Sequence, residues 1–229
     1  EWSDATHYLL GDAFNATMNY RFTWAVRGFL ATDNLTPTEL DDRLTMWIRD
    51  TPPPALKSQM NLIDSHDTSR ALTACGGDRD RYKQMIGFLF GYVGAPSLYY
   101  GSETALEGEN AEDGRRPFPW GNVDGEIRAF IKRAMQFRKT SQALRHGDVD
   151  TVRVDDANRV YIFARRSGHR VVFVGFNASD EPVTVSLKVP DSEQGRYTDA
   201  LETHPPIEAF GATVTVTLNP RGVAWYVRV

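Results

Sequence analysis

Gln59-Met60-Asn61-Leu62-Ile63-Asp64-Ser65-His66-Asp67-Thr68-Ser69-Arg70 passes from apolar to ionisable within one short stretch, and the rest of the chain is read outward from it. Residues 60–63 read as a short apolar strand that runs directly into a carboxylate, an imidazole and a guanidinium. Such groups at a strand's end are the pattern of the carboxyl edge of an α/β sheet or barrel, where active sites collect. The plain alternative is a strand-to-helix turn in which Asp67 or Thr68 caps the next helix. A Ser-His-Asp triad is disfavoured for Ser65, His66 and Asp67, because consecutive residues in extended backbone point to opposite faces and triad members must converge.

Upstream, residues 5–10 suit a helical turn or two, and residues 14–20 read as a short strand closed by the polar Asn19. Phe22, Ala25, Val26, Phe29 and Leu30 then fall at helical spacing. Residues 33–37 are a loop, and Thr38 is the expected N-cap of a helix over 39–50 with Leu40, Leu44, Trp47 and Ile48 on one face. Thr51-Pro52-Pro53-Pro54 ends it, since proline lacks the amide hydrogen and restricts its predecessor. Downstream, Cys75-Gly76-Gly77-Asp78 is a loop leading into a helix over 79–93, and Gly94-Ala95-Pro96 breaks that helix. Residues 97–101 then read as a short buried strand, and 102–120 as a polar loop of a length that is usually functional or disordered. Residues 127–145 form an amphipathic helix.

Past Gly147 the period changes to two. Runs at 159–164, 171–176, 183–189, 213–218 and 223–229 are separated by turn signals such as Ser167-Gly168 and Asn219-Pro220-Arg221-Gly222, which suggests an antiparallel β-sandwich. The expected domains are therefore 1–146 and 147–229. The first alternates strand and helix, which calls for a parallel sheet with crossover helices. A parallel sheet of so few strands leaves main-chain groups unpaired at both edges, so it either pairs with something or is the tail of a larger barrel.

Composition narrows the partners. With 41% hydrophobic and 24% charged residues and a net charge of -4 over 229 residues, this is ordinary globular material that does not favour a nucleic-acid partner. No apolar run approaches the roughly 20 residues of a membrane helix. The one cysteine, Cys75, allows no internal disulfide and is expected to be an inert buried thiol. The chain starts at Glu1, inside a patterned stretch and without methionine, and is read as a fragment.

Four motifs occur in order: Phe14-Asn15-Ala16-Thr17-Met18-Asn19-Tyr20; Leu62-Ile63-Asp64-Ser65-His66-Asp67-Thr68-Ser69-Arg70; Gly94-Ala95-Pro96-Ser97-Leu98-Tyr99-Tyr100-Gly101; and Asp113-Gly114-Arg115-Arg116-Pro117-Phe118-Pro119-Trp120. Together they resemble the C-terminal part of the α-amylase (glycoside hydrolase family 13) superfamily, especially its cyclomaltodextrinase, maltogenic amylase and neopullulanase branch. The resemblance covers nearly the whole chain. It implies α/β plus all-β architecture: the last three strand–helix units (about strands 6–8) of a (β/α)8 TIM barrel, then the sandwich. It also implies a retaining hydrolase or transglycosylase acting on α-1,4-linked glucans such as maltooligosaccharides, cyclodextrins, starch or pullulan.

Carried over by residue, the resemblance makes Asp67 the carboxylate that stabilises the transition state and His66 a hydrogen-bonding partner of the sugar in the cleavage subsite. The nucleophile would lie upstream, so the fragment alone is expected to be inactive. Glu1, directly before Trp2, is either the general acid or the residue after it. Arg70, Glu103, Asp113, Arg115 and Trp120 are the further substrate-binding candidates. Asp113, Arg115 and Arg116 also suit a plain loop ion pair, Tyr99 and Tyr100 suit barrel core, and Phe118 and Trp120 are the better stacking candidates. Ser102 departs from the family pattern, which usually has aspartate after Tyr-Tyr-Gly. No cofactor and no metal are expected in this stretch. The expected partners are an oligo- or polysaccharide substrate and a second copy of the chain, with no nucleic acid and no membrane, in a cytoplasmic setting. Two other classes remain open: a barrel homologue serving as a binding or scaffold subunit, and a carbohydrate-binding module centred on the sandwich, where Tyr161, Tyr197 and Trp225 are the obvious aromatics but strand-end aromatics are usually core. The barrel reading requires residues 60–63 and 98–100 to be parallel strands, with His66, Asp67 and Glu103 at one end.

Overall fold

Very short strands joined by long helices make the first unit. In the computed structural model, which describes residues 5–229, β1 (Met18–Asn19), β2 (Met60–Asn61) and β3 (Ala95–Pro96) pair in parallel in that order. Glu1 and Trp2 lie outside the described residues. Side chains extend the ladder: Asn19 Nδ2 donates to Asn61 Oδ1 at 2.7 Å and Thr17 Oγ1 to Gln59 Oε1 at 2.9 Å. The third strand lies before residues 98–100, where the sequence led us to expect it. Gly94, at φ +116°, turns the chain into β3 at once, and the amides of Ala95 and Ser97 donate to Gln59 and Asn61 carbonyls at 2.8 Å. Pro96, between them, directs its missing N–H away from β2, which is where an edge strand tolerates proline.

β1 and β2 are joined by α1 (Tyr20–Leu30), α2 (Pro37–Asp50) and α3 (Pro53–Leu56). The Asn19 side chain caps α1 by accepting from Phe22 N at 3.1 Å. Thr36, not Thr38, caps α2: its hydroxyl accepts from Glu39 N while Glu39 accepts from Thr36 N, and Pro37 fills the first helical position, where no amide hydrogen is needed. α4 (Ala71–Ala74) and α5 (Arg79–Gly91) lead to β3. Phe22, Val26, Phe29, Leu40, Leu44, Ile63, Phe88 and Leu89 are buried, with Phe22 and Phe88 edge to face at 5.8 Å. The expected helix over 127–145 is two helices, α6 (Gly125–Thr140) and α7 (Gln142–His146), because the Ser141 hydroxyl accepts from Leu144 N and restarts the helix.

By internal contacts, one compact unit takes the described residues up to Leu89 with Gly94–Ile131, and the other takes Phe90–Val93 with Lys132–Val229. The second unit holds β4 (Asp148–Asp155), β5 (Val160–Ser167), β6 (Arg170–Asn177), β7 (Val183–Lys188), β8 (Gly195–Asp199), β9 (Ile207–Ala209), β10 (Thr213–Leu218) and β11 (Val223–Arg228). Among the described residues they form a six-stranded sheet, β4-β5-β6-β11-β8-β9, and a two-stranded sheet, β10-β7, with antiparallel pairing throughout. Ile162, Ala164, Phe173, Ala224 and Tyr226 face a shared core with Val185, Leu187, Val214 and Val216. The opposite face of the large sheet is covered too: Phe163 meets Tyr92 edge to face at 5.0 Å and Trp225 meets Phe137 at 6.0 Å. That explains the burial pattern. β7 and β10 alternate buried and exposed, whereas β5 and β6 are buried on both faces. Tyr161, Tyr197 and Trp225 are core residues with no exposed surface, as strand-end aromatics usually are, and they offer no sugar-binding platform. Two buried arginines cover the end of α5: Arg138 donates to the carbonyls of Phe90 and Tyr92, and Arg165 to those of Gly91 and Gly147.

Candidate active site

At the end of β2 the chain makes a tight turn held by its own hydroxyls. Ser65 N donates to Thr68 Oγ1 at 3.0 Å, Asp67 N to Ser65 Oγ at 3.1 Å, and Tyr20 OH lies 2.9 Å from Ser65 Oγ. Ser65 and Thr68 are buried, while His66 and Asp67 are turned outward with side chains 53% and 51% exposed. The capping alternative fails here. The backbone amide at the start of α4, Ala71 N, is taken by Asp64 Oδ2 at 3.0 Å, and Asp67 has no part in it.

Asp67 is addressed from two sides. His66 Nε2 lies 3.3 Å from its Oδ2 and Arg115 Nη2 lies 3.6 Å from its Oδ1. Arg115 is also tied to the turn, its Nε donating to the His66 carbonyl at 3.0 Å. The Tyr99 ring stands 6.4 Å from the imidazole. Asp67 borders two clefts. One, of about 280 Å³, is also lined by Thr17, Asn19, Tyr20, Trp47 and Gln59. The other, of about 330 Å³, is lined by Tyr20, Trp24, Ser69 and Asn110.

The remaining candidates separate. Glu103 sits in a 3-10 turn (Ser102–Thr104) just beyond β3, and because β2 and β3 are parallel it lies at the same end of the sheet as His66 and Asp67. Asp113 is engaged within its own loop. It accepts from Glu109 N at 2.9 Å and Arg116 Nε at 2.8 Å, and these contacts hold its carboxyl below the usual range. Trp120 is 86% exposed and lies 4.6 Å from the Phe118 ring, so the pair offers an open aromatic surface. Arg70 departs from expectation. Its side chain has no exposed surface, so it cannot meet a ligand directly. The reason is local: its fork is used on carbonyls of residues 100–114, a destination that no spacing within its own segment could indicate.

Sequence reasoning also missed a buried polar group beneath the turn. Ser102 Oγ donates to Asp64 Oδ1 at 2.9 Å, and Tyr82 OH donates to the Ser102 carbonyl at 2.7 Å. Burial pushes the Asp64 carboxyl up despite hydrogen bonds from Ala71 and Ser102 and the nearby Arg70. The signal for this group in the sequence is Ser102 itself, the departure from the family pattern. Cys75 is buried beside Met85 Sδ at 3.4 Å, and burial raises its thiol to about 12. Among the described residues no cluster of three or more His, Cys, Asp or Glu side chains is placed to hold a metal ion. No helix among them is long and apolar enough to cross a membrane.

Comparison with known proteins then places this geometry. A family model described as the alpha amylase catalytic domain matches residues 1–128, and one described as the maltogenic amylase C-terminal domain matches residues 149–225. A cyclomaltodextrinase of Geobacillus thermopakistaniensis is 32% identical over 227 residues, which are 98% of this chain and 38% of that protein. Neopullulanase 2 of Thermoactinomyces vulgaris is 33% identical over 221 residues, or 96% of this chain and 38% of that protein. Among solved structures, a debranching enzyme from Nostoc punctiforme superposes with a TM-score of 0.89 at 26% identity, over 99% of this chain and 50% of that one. The chain thus spans about 38% of the length of these two curated relatives.

Proposed function

The chain belongs to the α-amylase superfamily, joining part of a catalytic barrel domain to a maltogenic-amylase C-terminal domain, and from that premise we propose that it is the C-terminal portion of a retaining α-glucan hydrolase or transglycosylase. In this reading residues 1–146 complete the barrel and 147–229 form the sandwich domain. The substrates are α-1,4-linked glucans: maltooligosaccharides, cyclodextrins, starch or pullulan. The observation that carries it is the Asp67 carboxylate, held half exposed at the carboxyl end of a parallel sheet between His66 and Arg115.

The chemistry follows from that placement. A glycosidic bond breaks through an oxocarbenium-like transition state flanked by two carboxyl groups about 5–5.5 Å apart, one the nucleophile and one the acid. Asp67 serves beside them. A carboxylate that grips sugar hydroxyls more tightly as the ring flattens lowers the barrel enzyme's barrier by differential binding. His66 holds the same sugar, Glu103, Asp113 and Arg115 shape neighbouring subsites, and the Phe118–Trp120 surface stacks on a sugar face. Glu1 is a candidate for the acid, and the nucleophile belongs to the part of the protein before this chain. A cytoplasmic setting accords with a relative named intracellular maltogenic amylase of Bacillus subtilis, 30% identical over 190 residues, or 82% of this chain and 32% of that protein.

The test is Asp67→Asn in the complete protein, assayed on maltooligosaccharides and cyclodextrin. Turnover should fall by roughly 10²–10³, the scale of losing one transition-state contact, with the melting temperature little changed. Turnover near wild type would make Asp67 an ordinary turn residue. A complete protein that binds these glucans without cleaving them would instead support a scaffold subunit.

A further inference from the structure

We infer that Arg70 is a positioning residue for Asp67, acting through Arg115; the inference rests on the functional reading above. The Arg70 guanidinium is fully buried, with Nε donating to Gly114 O at 2.8 Å and Nη1 to Tyr100 O at 2.7 Å. Its Cζ lies over the rings of Tyr99 and Tyr100, 4.2 and 4.9 Å from their centroids. Its own backbone amide takes Gly108 O at 2.9 Å. Three carbonyls spread along residues 100–114 are thereby gathered onto one residue of the turn that carries Asp67.

The next link is covalent. Gly114 is followed directly by Arg115, whose Nε donates to the His66 carbonyl at 3.0 Å and whose Nη2 stands 3.6 Å from Asp67 Oδ1, an ion-pair distance. Gly114 packs at ordinary contact distance: a Cβ there would lie 3.5 Å from Thr68 O and 3.7 Å from Arg70 Nε. Shifting Gly114 off Arg70 therefore shifts the cation that addresses Asp67. Catalysis is sensitive on this scale, since a displacement of about 1 Å can cost a factor of about 10².

A purely stabilising role fits the geometry less well. The carboxylate nearest to Arg70, Asp64, stands 3.9 Å away, beyond hydrogen-bond distance, and Arg70 Nη2 is buried with no hydrogen-bond partner. A buried charge paired so loosely is a poor source of stability. What the guanidinium offers instead is a planar fork that fixes two carbonyls at once, which a lysine ammonium cannot reproduce.

The experiment is a double-mutant cycle in the complete enzyme, with Arg70→Lys, Arg115→Ala and the pair, reading kcat and KM on a maltooligosaccharide. Arg70→Lys should lower kcat about 10- to 100-fold with KM changed less than about threefold. In the Arg115→Ala background the same change should cost less than about twofold, because the route to Asp67 is already cut. Additive losses would overturn the inference. Hydrogen exchange supplies a readout independent of activity: amides at 112–116 should exchange faster in Arg70→Lys, while those at 37–50 stay as in wild type. Unchanged protection at 112–116 would also overturn it. If Arg70→Lys does not fold, Arg70→Gln, which keeps one hydrogen-bonding amide, takes its place in both arms. A wild-type protein inactive on every α-glucan would sink the functional reading, and the exchange arm would still decide what Arg70 holds.

Discussion

Asp67 and Arg70 lie three positions apart in sequence and have opposite fates. The turn hydroxyls of Ser65 and Thr68 bond to backbone within the turn itself, so the outward aim of His66 and Asp67 is set locally, although reading the stretch as extended backbone put consecutive side chains on opposite faces. Arg70 is set by a loop that begins thirty positions later, and its role depends on where that loop passes. Gly94 gives a prediction at the same scale. Its φ of +116° is strained for any L-residue, and a Cβ there would stand 2.6 Å from Asn61 Nδ2, in the side-chain ladder that joins β1 to β2. Gly94→Ala should therefore cost about 2–3 kcal/mol in urea unfolding. A loss within experimental error would show that the ladder yields freely.

Elements were legible where one segment supplies its own signals. The helices α1, α2 and α5 follow their apolar periodicity, and even the displaced α2 cap obeys a local rule, Thr36 with Glu39 behind Pro37. Thr36→Ala should cost about 1 kcal/mol in thermal or urea melts, with no effect on turnover. Strand β3 was misplaced because the pairing of Ala95 and Ser97 depends on Gln59 and Asn61, which a reading of residues 94–101 does not contain. β5 and β6 carried less alternation than a one-faced strand because helices cover their second face. The junction of β8 and β11 yields a pH prediction. Burial would raise Asp199, but bonds from His204, Trp225, Thr203 and Leu201 outweigh it and hold the carboxyl below its ordinary value of 3.8. A depressed carboxylate stabilises the fold above its unfolded pKa, and that stability is lost as pH falls through the folded value. Thermal melts of the complete protein should show the sandwich weakening below about pH 4. Asp199→Asn should flatten that slope and cost roughly 3 kcal/mol at neutral pH.

Over the whole molecule, the sandwich and the class of the sheet were readable because each rests on period and order, and the three strand–helix units that the resemblance implied match the three parallel strands found. The parallel sheet ends at β1 on one side and β3 on the other among the described residues. Tyr8, Leu10, Phe14 and Met18, next to the β1 edge, are exposed at 48%, 68%, 60% and 38%. Open edges and apolar surface of this kind favour association, so the isolated chain should migrate above its 25.8 kDa mass in size-exclusion chromatography. The most direct test of the account is to assay the isolated chain and the complete protein side by side for reducing-end release from a maltooligosaccharide. The complete protein should hydrolyse it while the 229-residue chain, spanning about 38% of its curated relatives, gives no turnover. Hydrolysis by the purified chain alone would contradict the assignment of its catalytic groups.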